Sequence, residues 1–102
     1  MGIGAIVLAA GGSSRLGTPK QLLTFRGETL VRRAAMAALE SVCDRVVVVV
    51  GSHAQQMHRE LGDLPLSVVE NKNWQSGISS SIRVGLEQIS PPDGVVALSV
   101  VI

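Results

Sequence analysis

Four short aliphatic runs alternate along the chain with segments of helical periodicity. The runs cover residues 3–9, 45–50, 66–69 and 95–101. They are rich in β-branched residues, so each predicts a β-strand. The run at 46–50 consists of five consecutive valines without polar alternation. Continuous apolar strands of this kind are buried on both faces and are typical of parallel sheets flanked by helices.

Three segments between these runs predict helices. Residues 28–41 place an apolar stripe opposite Arg32, Arg33 and Glu40, with Thr29 as N-cap. Residues 53–61 and 79–89 predict a second and a third helix. The element order, β-loop-α-β-α-β-α-β, predicts a three-layer α/β sandwich with right-handed crossovers. We therefore expect one α/β domain with a mainly parallel sheet over residues 1–102.

Composition narrows the class of protein and its partners. The 102 residues are 46% hydrophobic and include no tyrosine, one phenylalanine and one tryptophan, so the core must be aliphatic. The formal net charge is +1 with scattered cations, which predicts no nucleic-acid partner. Cys43 is the single cysteine and indicates a reducing compartment. The apolar N-terminal run lacks a basic leader and is too short to span a bilayer. We expect a cytoplasmic protein with no membrane partner.

The loop after the first strand carries the candidate chemistry. Residues 10–28 form the longest segment without predicted structure, and ligands of parallel sheets bind at the carboxyl ends of the strands. The small residues at 9–12 let a base or a phosphate approach the backbone, whose N–H groups can form an anion-binding concavity. Arg15 can bind phosphate oxygens in pairs, while Lys20 supplies a mobile point charge.

The glycine spacing excludes two common nucleotide-binding motifs. Gly11, Gly12 and Gly17 do not fit the G-x-G-x-x-G fingerprint of dinucleotide sites. Thr18 and Pro19 displace the lysine that a P-loop requires directly after its last glycine. The loop suits phosphate without belonging to either class, and on chemistry alone a solvated, flexible loop is an equal alternative.

Two segments resemble one known family. "LAAGGSSRLGTPKQLL", residues 8–23, resembles the signature of the molybdenum-cofactor nucleotidyltransferases, the MobA-like NTP transferases. "NKNWQSGISSSIRVGL", residues 71–86, resembles a second motif of their molybdenum cofactor cytidylyltransferase-like branch. Both occur in the family's order, and the resemblance covers essentially the whole chain. It implies a Rossmann-like α/β/α fold of the nucleotide-diphospho-sugar transferase type. It also implies transfer of a nucleoside monophosphate from CTP or GTP to a phosphorylated acceptor such as molybdopterin, with release of pyrophosphate.

The resemblance also implies roles for individual residues. Arg15 and Lys20 are the expected catalytic residues, with Lys20 neutralising phosphate oxygens in the transition state. The first motif would contact the base, ribose and triphosphate, and the second would contact the base. Trp74 is expected to pack rather than to bind the nucleotide. The complete predicted nucleotide-binding set is Ala9, Ala10, Gly11, Gly12, Ser13, Ser14, Arg15, Lys20, Asn71, Gly77, Ser80 and Ser81.

The metal is where the sequence departs from the family pattern. The resemblance implies Mg²⁺, held by an aspartate after the fourth strand. Val100, Val101 and Ile102 stand at that place, and no other carboxylate is a convincing ligand, so no metal ligand is predicted. The chain is expected to be the N-terminal part of a nucleotidyltransferase domain, truncated after the fourth strand, whose activity is in question. A homodimer formed through the apolar last strand is expected.

Two alternative functions stay open beside the nucleotidyltransferase hypothesis. The first is a non-catalytic nucleotide-binding or interaction module. The second is a sugar-1-phosphate nucleotidylyltransferase, which is less favoured because that class lacks the second motif.

Overall fold

The computed structural model describes residues 3–11, 14–15, 18–41, 45–89 and 95–100. Within them, four parallel strands form one sheet in the spatial order β3-β2-β1-β4. The strands are β1 (Ile3–Ala9), β2 (Arg45–Val50), β3 (Ser67–Glu70) and β4 (Val95–Val100). The helices are α1 (Leu30–Leu39), α2 (Ala54–Leu61) and α3 (Ile78–Gln88). The predicted α/β class with a parallel sheet is confirmed. β3 differs slightly from the prediction, because it begins at Ser67 and includes Glu70.

The alternation of side chains along β1 and β2 divides the core into two halves. One half packs against α1 and α2, and it contains Ala5, Val7, Ala9, Val46, Val48, Val50, Val31, Ala35, Met57 and Leu61. The other half lies on the α3 side, and it contains Ile6, Leu8, Ala10, Val47, Val49 and Ile89 with Ile82 and Val84 packed against it. The valine run is therefore buried on both faces, as its lack of polar alternation predicts.

α3 lies very close to the sheet because a glycine faces β1. A Cβ atom added at Gly85 would lie 2.7 Å from Cγ2 of Ile6, and one added at Gly4 would lie 2.8 Å from Cδ1 of Ile89. Both distances are shorter than real Cβ contacts. The absence of a side chain at these two positions therefore sets the distance between α3 and β1.

The segment between β1 and α1 contains short regular pieces that the sequence pattern does not predict. Ser14–Arg15 pairs antiparallel with Thr18–Pro19, and Thr24–Phe25 pairs antiparallel with Glu28–Thr29. A 3₁₀-helix at Lys20–Leu22 lies between the two pairs. Pairs of two residues are too short to produce a hydrophobic periodicity, so the prediction of an irregular segment at 10–28 was wrong in these places.

α1 and α2 are joined by a polar network at one end. Thr29 caps α1, since its Oγ1 accepts a hydrogen bond from the Arg32 N–H at 3.3 Å, and the same hydroxyl donates to Glu60 at 2.9 Å. The Arg32 guanidinium donates to both carboxylate oxygens of Asp63, at 2.7 and 2.8 Å, and to the Glu60 carbonyl at 2.6 Å. The bond from Arg32 lowers the pKa of Asp63 to about 2. Thr29 is the predicted cap, but the sequence pattern did not predict that Arg32 reaches α2.

Candidate functional site

The carboxyl ends of β1, β2 and β3 bring three loops together at one edge of the sheet. The Ser52 N–H, after β2, donates to the Ala10 carbonyl at 3.5 Å. The Asn71 N–H, after β3, donates to the Val50 carbonyl at 2.7 Å. The two predicted groups of site residues, one after β1 and one after β3, are therefore linked through the end of β2. This edge is where parallel α/β sheets bind ligands.

The loop after β1 rests on a buried glutamine that the sequence analysis did not select. Gln21 is fully buried, and its Nε2 donates to the Gly11 carbonyl at 2.9 Å and lies 3.5 Å from the Ala9 carbonyl. Its Oε1 has no hydrogen-bond partner among the residues that the structure describes. Leaving such an acceptor unpaired costs about 1–3 kcal/mol. A polar side chain between Lys20 and two leucines was the available signal, but its burial depends on the tertiary structure.

The predicted cation Lys20 lies beside Gln21 in the same 3₁₀ turn, with the opposite exposure. Lys20 is exposed, whereas Pro19 and Gln21 on either side of it are buried. No hydrogen bond or ion pair joins the Lys20 side chain to another residue in the described ranges. The ammonium group is therefore free to meet an anion.

Part of the predicted loop set lies outside the described residues. Gly12 and Ser13 belong to this part, as do the side chains of Ser14 and Arg15. The backbones of Ser14 and Arg15 pair with Pro19 and Thr18 respectively. This pairing places the backbone of the predicted arginine next to the turn that carries Lys20.

The second group of predicted residues forms a compact hydrogen-bonded cluster after β3. Asn71 is buried, and its Nδ2 donates to the Oγ atoms of Ser80 and Ser81, both at 2.9 Å. Its Oδ1 accepts from the Asn73 N–H at 2.9 Å. Ser81 is also buried. Asn71 thus holds the first turn of α3 against the end of β3, and both protons of its amide are used within the protein.

α3 begins at Gly77, whose backbone conformation favours glycine. Its φ is 110°, and a Cβ added at this position would meet no atom within 4 Å. No side chain caps this helix end, so backbone N–H groups of the first turn are left for other acceptors. The Ser80 Oγ donates to the Gly77 carbonyl at 2.7 Å, which places a half-buried hydroxyl at the helix start.

Trp74 packs against the protein core, as expected from the sequence. Its side chain lies directly over Gly51, where an added Cβ would come within 2.6 Å of the Trp74 Cβ. It also packs against the core cluster on the α3 side of the sheet. The tryptophan therefore sets the distance between the loop after β3 and the end of β2.

The residues that the structure describes do not form a metal site. No group of three or more histidine, cysteine or acidic residues lies close enough together among them to hold an ion. Glu60 and Asp63 accept hydrogen bonds from Thr29 and Arg32 respectively. The described residues therefore offer no cluster of metal ligands, and the Mg²⁺ expected from the family resemblance stays a prediction. No helix within the described ranges has the length and hydropathy of a membrane span.

Fold and motifs together define a nucleotidyltransferase-type domain. The family model described as the MobA-like NTP transferase domain matches residues 5–100. The chain belongs to this family, as its two motifs predict.

Three curated relatives illustrate the range of this family. Nicotine blue oxidoreductase from Paenarthrobacter nicotinovorans is 43% identical over 81 residues, which are 78% of this chain and 40% of that protein. The bifunctional protein GlmU from Streptomyces griseus is 36% identical, over 82% of this chain and 18% of its own. The molybdenum cofactor cytidylyltransferase of Escherichia coli is 26% identical, over 85% of this chain and 45% of its own. The chain thus spans less than half the length of each.

Solved structures share the fold. A nucleotidyl transferase from Methanothermobacter thermautotroptrophicus, Mth528, superposes with a TM-score of 0.81 at 29% identity, over 97% of this chain and 50% of its own. The complex of Rv0371C with manganese, from Mycobacterium tuberculosis H37Rv, superposes with a TM-score of 0.77 at 29% identity, over 98% and 50%. The four-stranded sheet with its helices is the nucleotidyltransferase fold that the motifs imply.

Proposed function

We propose that this chain binds a nucleoside triphosphate at the carboxyl edge of β1, β2 and β3. It would form the nucleotide-binding part of an enzyme that transfers a nucleoside monophosphate from CTP, or from GTP, to a phosphorylated acceptor such as molybdopterin. One observation carries the proposal. This chain belongs to the MobA-like family, and its loops after β1 and β3 are both hydrogen-bonded to the end of β2, at Ser52 and Val50 respectively.

The proposed reaction is a displacement at the α-phosphorus. A phosphate oxygen of the acceptor forms the new P–O bond, the bond to the β-phosphate oxygen breaks, and pyrophosphate leaves with that electron pair. Such transfers depend on positioning and on neutralisation of charge. Lys20, exposed and free of partners among the described residues, is suited to neutralise phosphate oxygens, and Arg15 is the second cation proposed for this task. The backbone of residues 9–14 would border the base, ribose and phosphates.

The loop after β3 would recognise the base. Gly77 and Ser80 are the groups proposed to face it, since Gly77 is exposed and Ser80 is half-buried. Asn71 and Ser81 are buried and bonded to each other, which supports a positioning role for both. CTP is preferred over GTP, because the second motif resembles the cytidylyltransferase-like branch and one relative is a cytidylyltransferase.

A divalent ion is part of the family's chemistry, and the relative Rv0371C forms a manganese complex. Because the described residues of this chain offer no ligand cluster, no step is assigned to the ion. Nucleotide binding and pyrophosphate release are therefore each compared in Mg²⁺, in Mn²⁺ and in EDTA.

The test measures nucleotide affinity first and turnover second. Calorimetric titration with CTP, GTP and CMP should give the tightest binding for CTP, and Lys20→Ala should weaken CTP binding about tenfold, equivalent to about 1.4 kcal/mol. Arg59→Ala, an exposed cation on α2, is the matched control and should bind as the unmodified chain does. Pyrophosphate release is then measured with molybdopterin, and with UTP and a sugar 1-phosphate as the comparison. Failure to bind any nucleoside triphosphate would contradict the proposal. Binding without pyrophosphate release would support the non-catalytic module instead.

An oxidoreductase is the second candidate, because the relative at 43% identity is named nicotine blue oxidoreductase. The discriminating experiment mixes the chain with nicotine blue and a reduced nicotinamide dinucleotide and follows the dye's absorbance. Reduction above a protein-free control, together with no pyrophosphate release, would replace the transferase proposal with this one.

We further propose a homodimer in the cytoplasm, paired through the outer edge of β4. Within the described residues β4 pairs with β1 alone, and an open strand edge can pair with a second copy. Sedimentation velocity over a range of concentrations tests the dimer. A sedimentation coefficient that stays at the monomer value would contradict it.

A further inference from the structure

Gln21 is the buried polar side chain that the proposed chemistry does not use. It lies fully buried beside an aliphatic core, in the 3₁₀ turn that follows the short strand pair. Its amide nitrogen contacts the carbonyl of Ala9, the last residue of β1, and that of Gly11 in the loop that follows. One side chain therefore holds the start of the loop at two points, 12 and 10 residues away in sequence.

These two contacts control which way the peptide groups of the loop face. In a trans peptide the C=O and the following N–H point in opposite directions. The carbonyl of Ala9, which faces Gln21, therefore turns the N–H of Ala10 away from Gln21. Anion-binding loops depend on successive N–H groups that face the ligand. Holding the carbonyl of Ala9 is thus a way to present an N–H group to phosphate before the ligand arrives, and the bond to the Gly11 carbonyl holds the loop beside it.

We propose that Gln21 is a positioning residue, which orients the loop after β1 for the phosphates of a nucleotide. The inference rests on the proposed nucleotide binding and adds a residue to it. The Oε1 atom supports this role, because it is buried and unpaired among the described residues and its burial is unfavourable. A methionine would fill a similar space without that unfavourable burial. The amide must therefore contribute something else, and that contribution is the pair of bonds to the two carbonyls.

The same turn also directs the neighbouring cation. Pro19 and Gln21 are buried on either side of the exposed Lys20. Anchoring Gln21 under the loop therefore places the Lys20 side chain on the solvent side of the turn. Loss of the anchor should affect binding of the phosphates through the loop and through Lys20 together.

The test compares Gln21→Met and Gln21→Glu with Gln56→Met, a matched control at an exposed position of α2. Affinities for CMP, CDP and CTP are measured by calorimetry. Both Gln21 variants should lose affinity in proportion to the number of phosphates, with CTP weakened at least tenfold and CMP less than threefold. The control should match the unmodified chain. An equal loss for all three nucleotides, as a general loss of folded protein would produce, or no loss at all, would overturn the proposal.

A second measurement does not depend on nucleotide binding. Amide hydrogen exchange in the ligand-free protein should accelerate at least tenfold at Ser52, whose N–H donates to the Ala10 carbonyl of the loop, in Gln21→Met, while α1 and α2 exchange at unchanged rates. If the unmodified chain binds no nucleotide, the proposed function fails, and exchange alone decides whether Gln21 holds the loop. Unchanged exchange at Ser52 would refute that role.

The unmodified protein provides a third measurement, in case the variants do not fold. The Nε2 protons of Gln21 should appear in the NMR spectrum as slowly exchanging, because both face protein carbonyls. They should shift on addition of the triphosphate if the chain binds it. Rapid exchange of these protons with water would show that the amide does not hold the loop.

Discussion

Asn71 is nearly fully buried between β3 and α3, and both ends of its side-chain amide are bonded within the protein. Its partners are Ser80, Ser81 and the N–H of Asn73. The motif points to this residue as a nucleotide contact, which stays a prediction. The geometry shows that Asn71 holds the start of α3, because both amide protons and one lone pair of its Oδ1 are bonded within the protein.

Asn71→Ala should destabilise the fold by about 2–4 kcal/mol, because it leaves the buried hydroxyl of Ser81 and the N–H of Asn73 without their partner. Asn73→Ala, whose side chain is exposed, is the matched control and should stay within about 0.5 kcal/mol of the unmodified chain. Urea unfolding followed by circular dichroism measures both. A cost below 0.5 kcal/mol for Asn71→Ala would show that these hydrogen bonds do not hold α3.

At the scale of elements, the close packing of α3 on β1 fixes the position of the helix whose N-terminus lies at the proposed site. Gly85 faces Ile6 with no room for a further carbon. Gly77 caps α3 and Ser80 lies in its first turn, so the depth at which the helix lies sets where these residues would meet the proposed nucleotide. The sequence pattern predicts α3 and its apolar face, but the contact with Ile6 joins residues far apart in the chain.

Gly85→Ala should destabilise the protein by about 1 kcal/mol, although alanine favours helices over glycine by about 1 kcal/mol. The added Cβ would lie 2.7 Å from the Ile6 Cγ2, and overpacking of a close-packed core costs about 1–3 kcal/mol. Ser79→Ala, at an exposed position of the same helix, is the control and should be neutral or slightly stabilising. Thermal unfolding decides the matter: a higher Tm for Gly85→Ala would mean that the helix moves away from β1 at little cost.

At the scale of the whole molecule, the polar network of Thr29, Arg32, Glu60 and Asp63 links the two helices that cover one face of the sheet. The pairs Arg32–Asp63 and Thr29–Glu60 each join residues 31 apart. Because the Arg32–Asp63 pair is exposed, its contribution should fall with added salt. The network should also respond to acid, since the pKa of Asp63 is lowered from 3.8 to about 2.

The sign of that pH dependence follows from the lowered pKa. Between pH 4 and 2 the unfolded chain binds a proton at Asp63 that the folded chain does not, so the stabilisation by Asp63 is present above pH 4 and is lost as the pH falls towards 2. The difference in free energy of unfolding between the unmodified chain and Asp63→Asn should therefore shrink over this range. Glu87→Gln, on the exposed face of α3, serves as control. A difference that is constant down to pH 2 would mean that the pair with Arg32 does not form in solution.

The sequence by itself determined the α/β class, the four strands, the three helices and the family. The strands and helices follow from patterns that extend over many residues, such as the valine run of β2 and the apolar stripe of α1. The family follows from two motifs that are read directly from the sequence. The two-residue strand pairs around Lys20 escaped prediction, because they are too short to have a period.

Only the tertiary structure decided the partners of individual polar side chains. Gln21 under the loop, Asn71 against α3 and Arg32 on α2 each depend on residues that are brought close by the packing of the sheet and helices. Hydrophobic periodicity specifies which face of an element is buried. It carries no information on which distant carbonyl or carboxylate a buried or bridging polar group meets, because that depends on how the elements pack against each other.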